Sequence, residues 1–383
     1  MNSNAIKETI TDRMTERGVR PDAIEFFLSA HRQLDLEEQK LNWDDITPVT
    51  ATHVSELPEK GGKEYDYYKA LGTRNLGSCA VVKLNGGRST TMGGQVPKCT
   101  INAKDGMSFL DIVMHQVAAN NDISGVEVPL VLMNSFFTDQ MTEKIVGRTP
   151  IIIMNFVQNE YPRIREDNFL PLETGEDEDW CPAGHGDFYN SFYGSGLVDA
   201  LLDLGLRYVF VSNIDNLSAV LSPVILGMMV AQNKDFIMEV TAKTPADVKG
   251  GAPVFHRDRL SLLEIAQVPE EYQDDFENIE RFRYFNTNNL WIDLSSLKKI
   301  MMEKSMQLPV IQNRKEIHGH KIIQIETAMG AALSSFKKPG LFNVPRYRFA
   351  PVKKVSDLEQ LQSDEFELDS QYRVRRRGDK RVY

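Results

Sequence analysis

Cysteine is scarce: Cys79, Cys99 and Cys181 are the complete set. An odd number without CxxC spacing cannot form a fully paired disulfide framework, so a reducing, cytoplasmic setting is expected. No uninterrupted apolar run approaches the roughly 18 residues of a membrane helix. The first residues, MNSNAIKETITDRMTERG, lack a secretory apolar segment, and no membrane partner is expected. Basic charge is also in deficit, with 44 Lys and Arg against 54 Asp and Glu and a net charge of −10. That excludes a general nucleic-acid binder, which would carry a basic field. The one basic cluster, Arg373 to Arg377 with Arg381, follows an acidic stretch without interleaved aromatics and reads as a solvated tail. Also missing are GxxxxGK[ST], GxGxxG and GxSxG, which removes the two commonest phosphate loops and a serine-nucleophile elbow.

What is present begins at Cys79. The stretch CAVVKLNGGRSTTMGGQVPKCT, residues 79–100, runs from a short apolar strand into glycines, small hydroxyl residues and Pro97-Lys98. Glycines directly after a strand let backbone N–H groups approach a ligand closely. With Lys98 on the same loop, the unit suits a polyphosphate. An acidic protein must bind such a group locally, with loops, lysines and a metal ion.

Apolar runs at 79–84, 128–135, 150–156, 207–215 and 235–243 alternate with helical stretches near 108–120, 196–205 and 218–232. Ser108 and Asp111 mark the start of the first of these helices. Such alternation predicts parallel strands with crossover helices, a doubly wound α/β sheet, whose ligands gather at the C-terminal strand ends. The candidate motifs fall there: Asn85-Gly86-Gly87, Asn134-Ser135, Asn155-Phe156 and Asn213-Ile214-Asp215. Residues 5–40 read as two helical segments around a turn at Gly18 to Pro21, residues 41–75 as irregular, and 356–383 as a charged helix and loose tail. The expected division is therefore a helical extension over 1–45, a catalytic domain over 46–355 and a C-terminal segment over 356–383.

Asp215, at a strand tip beside a phosphate loop, is the candidate for holding a divalent cation; capping of the following helix is the competing role. Gly184-His185-Gly186-Asp187 reads as a tight turn able to present His185. Lys249-Gly250-Gly251 offers a second close backbone approach, and Asn286-Thr287-Asn288-Asn289 a polar cluster apt for sugar hydroxyls. The acidic run from Glu173 to Asp179 reads as a solvated loop, and His318-Gly319-His320 as a surface turn.

Many collinear segments resemble the eukaryotic-type UTP–glucose-1-phosphate uridylyltransferase family: LNGG at 84–87, PLVLMNSF at 129–136, YPRI at 161–164, GHGD at 184–187, VSNIDNL at 211–217, MEVTAKTPADVKGG at 238–251, FNTNNLW at 285–291, IETAMGAAL at 325–333 and NVPRYRFAPVKKVSDL at 343–358. The resemblance spans about residues 80–360. It implies a Rossmann-like nucleotidyltransferase domain with a mixed, mainly parallel central sheet, and reversible conversion of UTP and glucose 1-phosphate to UDP-glucose and pyrophosphate with Mg²⁺. Leu84, Asn85, Gly86 and Gly87 would underlie the nucleotide, with Lys98 on its phosphates. Gln158 and Gly184 match positions that contact uracil. His185, Asn213 and Asp215 match positions near the sugar phosphate and the metal. Gly251, Asn286 and Asn288 fall where hexose hydroxyls are read, and Lys353 matches a second phosphate-binding lysine.

The family loop reads LNGGLGTxMG, so Arg88 stands for a leucine and Ser89 for a glycine; Gln95 stands where a lysine is usual. A left-handed backbone at Ser89 would cost about 1 kcal/mol. Tyr383 falls before the C-terminal β-helix carried by members of this type, and the resemblance fixes no oligomeric state. A UDP-sugar pyrophosphorylase acting on another sugar 1-phosphate, or a catalytically weakened nucleotide-sugar binding protein, are the readings that stand beside it.

Overall fold

The computed structural model describes residues 3–34, 41–89, 94, 96–147 and 149–378. Gly93 and Gln95 of the loop, and Arg381, lie outside the described residues. Eight strands form the central sheet: β1 (Ser55–Glu56), β2 (Cys79–Leu84), β3 (Leu130–Asn134), β4 (Ile153–Val157), β5 (Tyr208–Asn213), β6 (Phe236–Ala242), β7 (Tyr284–Asp293) and β8 (Pro339–Asn343). Their spatial order is β1-β8-β6-β7-β5-β2-β3-β4. All neighbours are parallel except β7, which runs antiparallel to β5 and to β6. The strands read as continuous apolar runs because both faces are covered. Val82, Val209 and Val211 pack on one face with Phe188, Phe192 and Leu297. Val81 and Phe210 pack on the other with Phe109, Val113 and Ile225, as the period of two along a strand requires.

Helices α1 (Ser3–Glu16) and α2 (Pro21–His31) flank the turn at Gly18. They bury Ile10, Met14, Ile24 and Phe27 against Tyr161, Trp180, Ile323 and Ile325. The region 41–75 is not irregular throughout: α3 (Lys63–Asn75) is a regular helix. It buries only Tyr65 and Gly72, so it carries no apolar stripe for a sequence pattern to detect. Helix α4 (Phe109–Ser124) starts at a capping box, with Asp111 N–H donating to Ser108 Oγ at 3.1 Å and Ser108 N–H to Asp111 Oδ2 at 2.9 Å. Helix α5 (Pro223–Ala231) crosses α3 backbone against backbone; a Cβ on Gly72 would lie 1.7 Å from Pro223 O, and one on Gly227 1.9 Å from Tyr68 O.

Two expectations for charged segments need correction. Asp179 is buried, not solvated, accepting from Thr174 N–H, Gly175 N–H and Arg13. After the helix at Val355–Gln362, the tail forms an antiparallel pair of Phe366–Leu368 with Val374–Arg376. Arg373 and Arg375 pair with Asp369, Arg376 with Glu365 and Arg377 with Glu367. The basic cluster is thus neutralised by the acidic stretch that precedes it.

Candidate active site

Strand register aligns the tips that matter: Leu84 lies beside Met133 on one side and Asn213 on the other. Beyond Leu84 the chain leaves β2 into the glycine loop. Asn85 is buried and spends its amide N–H groups on Asn134 Oδ1 at 2.7 Å and Thr142 Oγ1 at 2.9 Å, so its side chain anchors the loop. Ser135 Oγ–H donates to Gly86 O at 2.9 Å. Gly86 is required by proximity, because a Cβ there would sit 2.0 Å from Gln158 Nε2. Gln158 Oε1 is buried without a hydrogen-bond partner among the described residues. An acceptor held in that way beside a glycine loop is suited to an N–H of a planar base. Gly87 is open, and its carbonyl accepts from Lys98 N–H at 3.0 Å.

Ser89 does not adopt the left-handed backbone that would make it costly. It is buried, its Oγ–H donating to Val96 O at 3.0 Å, while Arg88 stacks on Phe137 with its guanidinium carbon 3.2 Å from the ring centre. The two departures from the family loop are therefore packed into the structure.

Lys98 Nζ–H donates to Asp215 Oδ2 at 2.8 Å and to Val352 O at 3.3 Å. Asp215 does not cap α5; Ser222 does, accepting from Ile225 N–H. The second oxygen, Asp215 Oδ1, is buried without a partner among the described residues, and none of those residues forms a group of three or more His, Cys, Asp or Glu side chains able to hold a metal. A lone carboxylate with one oxygen uncommitted fits Mg²⁺, which is commonly held by one or two carboxylates with phosphate oxygens and water. It does not fit a metal that needs a protein cage.

Lys353 reaches this place through a segment the strand pattern does not foretell. Asn216 Nδ2 donates to Arg348 O at 3.0 Å, Ala350 N–H to Asn216 Oδ1 at 3.2 Å, and Val352 N–H to Asp215 O at 3.1 Å. Behind them, buried Arg348 makes a two-pronged ion pair with Glu239, at 3.0 and 2.7 Å, and Trp291 Nε1–H donates to the same carboxylate at 2.9 Å. The pinned segment brings the Lys353 ammonium near both His185 and Glu264.

His185 sits in the 184–187 turn. Gly184 has φ of +86°, and a Cβ on Gly186 would lie 2.1 Å from Thr327 Oγ1, so both glycines are needed. Met329 N–H donates to His185 Nδ1 at 3.0 Å, which leaves the ring proton on Nε2. Enclosure by protein, then the Lys353 charge, push the imidazole down to about 4. The residue itself is exposed. The result at neutral pH is an uncharged Nε2–H donor. Asp187 of the same turn accepts from Asn159 N–H at 2.7 Å and Asn159 Nδ2 at 2.9 Å, fixing the residue next to Gln158.

The asparagine cluster owes its orientation to a bulge. The β6–β7 register shifts between Met238 and Val240, and Asn288 there has φ of +59°, a conformation asparagine tolerates well. Asn288 Nδ2 donates to Asn213 Oδ1 at 2.9 Å, Asn288 N–H to Asn286 Oδ1 at 2.8 Å, and Asn286 N–H to Gly251 O at 2.8 Å. Four predicted residues are thus one connected wall. Glu264, which sequence reasoning missed, closes it: a Cβ on Gly251 would lie 2.5 Å from Glu264 Oε2. Burial raises the Glu264 carboxyl, with Lys243 and Lys353 opposing. Its setting in an apolar run, LLEIAQVP, left no signal.

Strand ends that converge on one crevice place this chain among the doubly wound α/β proteins that handle nucleotides. A family model described as UTP–glucose-1-phosphate uridylyltransferase matches residues 24–382. The chain is 43% identical over 359 residues to UTP–glucose-1-phosphate uridylyltransferase of Hordeum vulgare, covering 91% of this chain and 75% of the relative. It is 40% identical to the probable enzyme of Schizosaccharomyces pombe, covering 96% and 74%. Among solved structures, UDP-glucose phosphorylase of Trypanosoma brucei superposes with a TM-score of 0.86 at 36% identity, over 97% of this chain and 81% of that one. A variant UDP-glucose pyrophosphorylase of Leishmania major in complex with UDP-glucose superposes with a TM-score of 0.85 at 33% identity, over the same shares. The chain belongs to the UTP–glucose-1-phosphate uridylyltransferase family.

Proposed function

We propose that the cleft transfers uridylyl from UTP to glucose 1-phosphate, giving UDP-glucose and pyrophosphate reversibly. The observation that carries this reading is the contact of Lys98 with Asp215 at the tip of β5, next to Gly87 and the segment bearing Lys353. One oxygen of the sugar phosphate attacks the α-phosphorus of UTP in line with the departing pyrophosphate. Charge then builds on non-bridging oxygens, where fixed cations are worth most. Lys98 on Asp215, and Lys353 near His185, supply two of them. Asp215 would hold Mg²⁺ through its uncommitted oxygen, and the ion would neutralise phosphate charge there. Gln158 and the Gly86 backbone bind the base, His185 donates Nε2–H to a phosphate oxygen, and Asn286, Asn288 and Glu264 read the hexose hydroxyls. Both substrates held in one crevice make attack effectively unimolecular, so no covalent enzyme intermediate is required.

The test is pyrophosphate release with UTP and Mg²⁺, comparing glucose 1-phosphate, galactose 1-phosphate and N-acetylglucosamine 1-phosphate. Glucose 1-phosphate should be preferred strongly. Lys98→Ala and Asp215→Ala should each lower turnover by roughly 10²–10³-fold, the scale of removing one electrostatic stabiliser. Release that is undiminished in both variants would refute the assignment of these two residues. Equal rates with all three sugars would refute the sugar assignment.

A further inference from the structure

A cavity of about 460 Å³ opens on the other face of the sheet, between α3, α4 and the start of α5. None of the residues assigned to the substrate cleft lines it. Its volume is that of a small-molecule site, and Val81, Val113 and Val117 supply an apolar wall. The polar lining is one-sided. Lys60, Lys69, Lys83 and Arg373 face it and, among the described residues, no carboxylate does, although the chain carries ten more acidic than basic groups. Arg373 is paired with Asp369, which does not line the space; burial, then the Arg348 charge, lower the Lys83 ammonium to about 7, so an anion seated against it would favour its charged form.

Two further features point the same way. Asn120 lines the cavity, and its Nδ2 is buried without a hydrogen-bond partner among the described residues. A buried donor in that state calls for an acceptor. Ser222, Pro223 and Val224, the cap and first turn of the nine-residue helix α5, also line it, presenting the positive end of the helix. Cations, an orphan amide donor and a helix N-terminus each favour an anion, and the valines favour an apolar body attached to it.

The cavity is wired to the cleft. Lys83 Nζ, at its inner wall, donates to Ser212 Oγ at 2.8 Å and to Ala219 O at 2.9 Å. Ser212 precedes Asn213 of the asparagine wall. Val220, also in the lining, accepts from Arg348 at 3.1 Å, and Arg348 belongs to the segment that delivers Lys353. The loop from Asp215 to Ser222 therefore has one end in each site.

We propose that this cavity is a second ligand site that takes a small organic phosphate with an apolar body, and that its occupancy alters turnover in the cleft through the 215–222 loop. The turnover clause rests on the reading of the cleft above; the binding clause does not. Phenyl phosphate is the probe, titrated calorimetrically into protein saturated with UDP-glucose, with phenol and inorganic phosphate in parallel. One equivalent of phenyl phosphate should bind, more tightly than either fragment. Exposed Lys69→Glu and half-buried Asn120→Leu should each weaken it by about tenfold or more, the loss expected for one contact to a charged group. The thermal midpoint of Lys69→Glu should stay unchanged, which separates lost binding from misfolding. The initial rate of pyrophosphate release at saturating substrates should change by at least about twofold in the wild type and not in Lys69→Glu.

Absence of binding to UDP-glucose-saturated protein, equal affinity in both variants, or binding of phenol as tight as that of phenyl phosphate would each overturn the site. Binding with an unaltered rate would overturn the coupling. If UDP-glucose itself fails to bind, the reading of the cleft falls, while the two variants still decide the cavity.

Discussion

Ser89 shows how a single residue can look like a defect in the sequence and be sound in the structure. A serine in place of a loop glycine is costly only where φ is positive, and Ser89 has no such backbone. Ser89→Gly therefore should not accelerate the enzyme. It removes the hydroxyl contact with Val96 O and adds freedom to the unfolded chain, together about 1–2 kcal/mol. The expected outcome is a lower thermal midpoint with unchanged or reduced pyrophosphate release. A rise in turnover of tenfold would show that serine obstructs the loop. At this scale the sequence was legible where a residue type is demanded by geometry, as at Gly86, Gly184 and Gly186. It was opaque at Glu264, whose part in the sugar wall depends on a neighbour, Gly251, thirteen positions earlier and on no local pattern.

Among the elements, the strands of the central sheet were readable because burial on both faces leaves uninterrupted apolar runs. Strand β2 falls on residues 79–84, as its apolar run predicts. The helix α3 was not readable, for a physical reason: it docks by backbone contact at glycines instead of through an apolar stripe. That contact makes a sharp prediction. Gly72→Ala drives a methyl to 1.7 Å from Pro223 O, and neither backbone can yield without moving α5. A loss of about 3 kcal/mol is expected, at the upper end of ordinary overpacking. Gly77→Ala, whose nearest neighbour would be a valine methyl at 3.7 Å, should change stability by less than about 1 kcal/mol. Urea unfolding of the two variants checks this; similar midpoints would show that the helix crossing can relax. The β6–β7 bulge is the converse case. Its asparagines stood out by composition, but only the register shift explains why Asn286 and Asn288 join Asn213 and Gly251 in one wall.

For the whole molecule, the parallel sheet collects at one edge residues as far apart in sequence as Leu84 and Lys353. Antiparallel β7 joins the nucleotide side to the sugar side through the Asn213–Asn288 hydrogen bond. The strand-end rule foretold where the ligands gather; the delivery of Lys353 by the Arg348–Glu239 pair was beyond it, since that pair is a contact between β6 and a loop a hundred residues later. The scarcity of cysteine acquires a use at this scale. Cys79, Cys99 and Cys181 are all buried, in β2, behind Lys98 and beside Tyr161, and burial pushes Cys79 up to about 12 and Cys181 up to about 11. A thiol so enclosed and so seldom ionised is inert toward alkylating reagents. At neutral pH the folded protein should label with iodoacetamide orders of magnitude more slowly than the chain in urea, and the rate at each cysteine should follow the opening of its own neighbourhood. Fast labelling of Cys79 in the native protein would contradict the packing of the central strand. The three thiols thus act as timers set at separate depths, able to report which part of the molecule comes apart first.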